Sequence, residues 1–90
     1  MENAEISLGY VQLTNLTVAT GLTIPAGTRL ILIQAESQDV RWRDDGTAPT
    51  ASVGMVLAAG AGISYTGGNP ISLSFIESLP SAKLNVTFYK

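Results

Sequence analysis

The chain has 90 residues and a formal net charge of −2, and charged residues make up 13% of it, against roughly 25% in ordinary globular domains. It contains no cysteine and no histidine. These absences remove disulfides, thiolate metal sites, nearly every zinc site, the Ser-His-Asp and Cys-His nucleophile systems and the commonest general base.

The predicted elements are almost all strands, since apolar residues recur at every second position and no segment carries a helical stripe. "ISLGYVQLT" (6–14) reads as the first strand. Thr17 to Thr23 is a second, short one, closed by the turn signal "PAG" at 25–27. "TRLILIQAES" (28–37) is apolar on both faces through Leu30, Ile31, Leu32 and Ile33. It is expected to be a central strand buried on both sides, or one with a face against a partner.

"DVRWR" (39–43) alternates, with Val40 and Trp42 pointing one way and Asp39, Arg41 and Arg43 the other. "GMVLAAG" (54–60) and "GISYT" (62–66) are weaker strands, broken by Gly60 and Gly62, and "GGNP" (67–70) is a turn. "ISLSFIE" (71–77) is expected to place Ile71, Leu73 and Phe75 on one face, and "SLPSA" (78–82) to be a loop. "KLNVTFY" (83–89) turns Leu84, Val86 and Phe88 inward and Asn85, Thr87 and Tyr89 outward. Seven or eight short strands with a turn about every ten residues describe an all-β, single-domain antiparallel β-sandwich or small barrel over residues 1–90.

A domain of this size buries only about 60–65% of its unfolded surface, so its own stability is marginal. With disulfides and thiolate or histidine metal sites removed, oligomerisation is the remedy left. With 46% apolar residues and so few charges, the surface is expected to be covered in the working state; the alternative is a monomer solvated by Ser, Thr, Asn and Gly. No basic cluster beyond Arg41 and Arg43 provides a nucleic-acid footprint. "MENAEISLGY" lacks a signal peptide's basic start and apolar core, and no apolar run approaches the ~18 residues of a membrane span. The expectation is a protein made in a cytosol, with the sequons at Asn15 and Asn85 as chance matches. Polar "MENAE" is expected to be either an arm reaching a neighbour or a frayed end.

Among candidate sites, Asp44, Asp45 and Gly46 offer carboxylates for a hard cation or for glycosidase chemistry. The spacing fits no EF-hand, and adjacent carboxylates on a strand end splay apart, so a turn with an Asp cap and a positive-φ glycine is favoured. Arg41 and Arg43, with Glu36 or Asp39, suit an anion or sugar site, cross-strand ion pairs, or charges that set register across a subunit interface. Trp42, in phase with Val40, belongs to the core rather than to a sugar-stacking surface. Tyr10, Tyr65 and Tyr89 suit a carbohydrate groove, an interface or a strand surface. No nucleophile stands with a base, and no catalytic, metal or cofactor site is expected.

"VRWRDDGTAPTASVGMVLAAG", with "GLTIPAGTRLILIQAES" upstream and "ISLSFIES…AKLNVTFY" downstream, resembles a group of small structural proteins of tailed bacteriophages; the likeness spans roughly residues 20 to 89. The resemblance implies a virion component made in the bacterial host cytoplasm, with a compact β-sandwich of which a jelly roll is one form. Such proteins often act as capsid cement or decoration subunits, as dimers or trimers that bind major capsid proteins where capsomers meet; others sit at the neck, tail or fibre base. The resemblance supplies no catalytic residue. Under this reading Arg41, Arg43, Asp44, Asp45 and Tyr89 are the interface candidates, with no nucleic-acid, membrane or cofactor partner. A reading from a different class is a small carbohydrate- or receptor-binding sandwich using Trp42 and the tyrosines.

Overall fold

The computed structural model describes residues 6–90, so the expected "MENAE" arm lies outside the described residues. In chain order the strands are β1 (Ser7–Leu13), β2 (Thr20–Gly21), β3 (Leu30–Glu36), β4 (Val40–Arg43), β5 (Met55–Leu57), β6 (Gly62–Tyr65), β7 (Ser74–Glu77) and β8 (Lys83–Tyr89). One 3₁₀ turn, Pro70–Ser72, precedes β7.

All pairings are antiparallel, and four of them are nested: β1 with β8, β2 with β7, β3 with β6, β4 with β5. The chain is thus one long hairpin closed between β4 and β5. Wrapping that hairpin brings β3 beside β8 and β4 beside β7, which makes two four-stranded sheets, β1-β8-β3-β6 and β2-β7-β4-β5. This is a β-sandwich with the strand order of a jelly roll.

The core lies between the sheets and follows from alternation. Ile31, Ile33 and Ala35 of β3 register against Phe88, Val86 and Leu84 of β8. Facing them are Val40 of β4, Leu57 of β5, and Leu73 and Phe75 at and before β7, with Leu16 filling in from the β1–β2 connection. Among the described residues no polar or charged residue is buried in this core. It therefore carries no unpaired polar group that would cost roughly 1–3 kcal/mol.

Three expectations are corrected. The stretch Thr17 to Thr23 shrinks to a two-residue strand, because Val18 already turns outward in a bend. β3 is central but buried on one face only: Leu32 is 42% exposed, so of the two expectations for the 30–33 run a strand covered on both sides is excluded and a face set against a partner is left. Ile71 does not join Leu73 and Phe75. Pro70 opens the 3₁₀ turn, where its missing N–H costs nothing, and the turn directs Ile71 outward to 86% exposure. The "PAG" signal does form a turn, with Thr28 N–H donating to Pro25 O at 3.2 Å and Gly27 at φ +87°.

Candidate functional site

The segment from β4 through the 44–54 loop to β5 is built by charges that turn back onto the fold. β4 alternates as its sequence requires. Val40 and Trp42 face inward opposite Phe75 and Leu57 positions, and Arg41 and Arg43 face outward. Arg41 Nη1 donates to Gly54 O at 3.0 Å, tying β4 to the start of β5; its Nε is buried without a hydrogen-bond partner. Arg43 forms a forked pair with Asp45, Nε to Oδ1 at 3.0 Å and Nη2 to Oδ2 at 2.6 Å. Asp45 Oδ1 also accepts from Thr47 N–H at 3.3 Å, and Gly46 sits at φ +86°, so the turn is an Asp-capped reversal.

The guanidinium of Arg43 holds the Asp45 carboxyl at about 2, well below its ordinary 3.8, and Asp45 in return raises Arg43. Both groups are open to solvent, so the pair shapes the turn more than it stabilises the fold.

Asp44 reaches a different partner. Tyr65 on β6 donates its hydroxyl to Asp44 Oδ2 at 2.7 Å and accepts from Asn69 N–H at 3.3 Å. Burial first, and the bond to Asp44 second, push the phenol above its usual 10. Trp42 and Tyr65 meet in a T-shaped contact, with ring centroids 6.4 Å apart and planes at 85°, and the half-buried indole packs against the core. A Cβ at Gly67 would lie 2.6 Å from the Tyr65 hydroxyl, and one at Gly54 3.1 Å from Pro49 Cβ. At Gly67 a side chain would displace the Tyr65 ring, and at Gly54 the backbone, at φ +141°, disfavours any side chain. The "TAPTASVG" run closes as a tight turn in which Thr50 and Val53 exchange backbone bonds at 2.9 and 3.2 Å.

Beside these bonded charges the segment also exposes apolar side chains. Val53, Met55 and Val56 are 54%, 61% and 53% exposed along the edge of the second sheet, where β5 pairs only with β4. The other three sheet edges are blunted. β1 carries a bulge at Gly9, β2 has two residues, and β6 presents Gly62 and Ser64 outward.

Of the candidate interface residues, Arg41, Arg43, Asp44 and Asp45 are thus brought together around this loop. Tyr89 is not: it is half-buried on the first sheet, in register with Leu30 and Ser7. The apolar edge escaped the sequence reading, although "VGMVL" contains its side chains. Alternation does not say which strand lies at an edge. Among the described residues no group of three or more His, Cys, Asp or Glu side chains is placed to hold a metal ion. Comparison with protein-family models, with curated proteins and with solved structures finds no match to this chain.

Proposed function

We propose that the chain is a structural subunit of a tailed-bacteriophage virion, a cement or decoration protein that docks on the head and bridges neighbouring capsid proteins. The observation that carries this reading is the β5 edge: Met55 and Val56 stand exposed on a short strand, with Val53 exposed just before it, beside a loop whose four charged side chains each make a hydrogen bond. Covering the apolar side chains of this edge takes no charge of theirs out of water, and Arg43 and Asp45 beside it are already paired. β5 is three residues long, too short to template runaway strand pairing but able to seat against a partner strand.

The likeness of "VRWRDDGTAPTASVGM" to small phage structural proteins supplies the partner class, and the low charge content supports a surface that is covered in the working state. Individually weak contacts repeated over a capsid lattice would hold the shell by multivalency. Arg41, Arg43, Asp44 and Asp45 then act by fixing the loop beside the docking edge.

Quantitative proteomics of purified particles of the phage that encodes the chain tests this reading. A copy number matching the capsid lattice is the expected result. A few copies per particle would move the protein to the neck, tail or fibre base, and absence from the particle would overturn the proposal.

A further inference from the structure

Away from the β5 edge, the outer face of the β1-β8-β3-β6 sheet carries an open groove of about 740 Å³, within the roughly 300–1,000 Å³ typical of small-molecule clefts. Cross-strand register puts Gln12, Asn85 and Gln34 side by side in one row that ends on Gly62. The next row is Tyr10, Thr87 and Leu32, ending on Ser64. Asn85 is the hub. Its Oδ1 accepts from Tyr10 hydroxyl at 2.7 Å and from Gln12 Nε2 at 2.9 Å, and its Nδ2 donates to Glu36 Oε1 at 3.0 Å and Gln34 Oε1 at 3.4 Å. All four hydrogen-bonding positions of that amide are used within the sheet.

The neighbours it orients are left half-used. Gln12 keeps its carbonyl oxygen and one N–H, Gln34 keeps both N–H donors, and Glu36 keeps one carboxylate oxygen. Donors and acceptors thus alternate along the groove. Beside them Leu32 and the Tyr10 ring supply exposed apolar surface. Gly62 is not required by a positive φ, and its missing side chain keeps one end of the first row low.

We infer that this groove binds a neutral oligosaccharide. A sugar hydroxyl donates and accepts at once, which matches alternating amide groups, while the C–H face of a pyranose matches Tyr10 and Leu32. The lining holds one carboxylate and no cation. That composition disfavours anionic ligands, nucleic acid among them. The inference stands on the sheet face and does not depend on the virion reading.

The test is an amide-shift NMR titration with malto-, cello-, manno- and chito-oligosaccharides, alongside polygalacturonate as an acidic control. At least one neutral oligomer is expected to shift Gln12, Leu32, Gln34 and Asn85 resonances. A Gln12→Ala/Gln34→Ala double variant, altered only at exposed positions, should weaken that binding at least tenfold, whereas Val56→Lys leaves it unchanged. No shift with any neutral oligomer, binding of the acidic polymer alone, or equal binding by the double variant would each overturn the inference.

Discussion

At the β4–β5 edge the charged side chains bond to their own loop and to Tyr65, and apolar side chains stand exposed beside them. On the outer face of the other sheet the polar side chains bond to one another and keep unused donors and acceptors at the surface. Both regions stand on one core, yet the local wiring differs. Around the loop, two charges find partners within the loop, Arg43 at Asp45 and Arg41 at Gly54, and Asp44 reaches Tyr65 on the other sheet. On the sheet face, a single amide joins strands far apart in the chain, from Tyr10 to Asn85. The first arrangement leaves an apolar edge that gains by being covered. The second leaves a face whose Gln12, Gln34 and Glu36 keep donors and acceptors free for a ligand.

The largest effect should come from the element the two regions share. Phe75→Ala empties the centre of the core and is expected to cost about 3–5 kcal/mol, a large share of a small domain's stability. Denaturant unfolding should show the loss, and both regions should melt together. Tyr65→Phe separates them. It removes the donor to Asp44 and the acceptor for Asn69, at about 1–2 kcal/mol. Amide exchange should speed up in the 44–54 loop while the Asn85 network stays protected; equal loosening of both would undo the distinction.

Acid gives the smallest effect. Asp45 titrates near 2 in the folded chain and near its ordinary 3.8 when unfolded. The unfolded state therefore takes up its proton first as pH falls. The contribution of Asp45 is full above about pH 4–5 and disappears as pH drops toward 2. In Asp45→Asn this part of the acid dependence should vanish, which paired acid titrations of the two proteins would detect.

The inward alternation of β8 and β4 was legible in the sequence, because a two-residue period in a chain with so few charges has one sensible burial. Residues whose neighbours lie outside their own strand were not. Leu30 and Leu32 read as a second buried face of β3 or as a face set against a partner, and within the described residues no layer covers the sheet's outer side. Ile71 fitted the strand period until Pro70 turned the backbone away from it. The Asp44–Tyr65 bond and the Asn85 hub depend on which strands become neighbours. That order is set by wrapping the whole hairpin, and no local pattern encodes it. The Asp-capped turn at 44–46 was legible because its chemistry is local.

In the proposed role β5 is the docking edge, so the decisive measurement is co-sedimentation of wild-type protein and Val56→Lys with phage heads that lack the subunit. Val56 is exposed and outside the core, so the variant should unfold within about 0.5 kcal/mol of wild type. The account predicts that wild-type protein saturates the heads while Val56→Lys stays in the supernatant. Equal binding by both proteins would contradict it and free the β5 edge of any part in assembly.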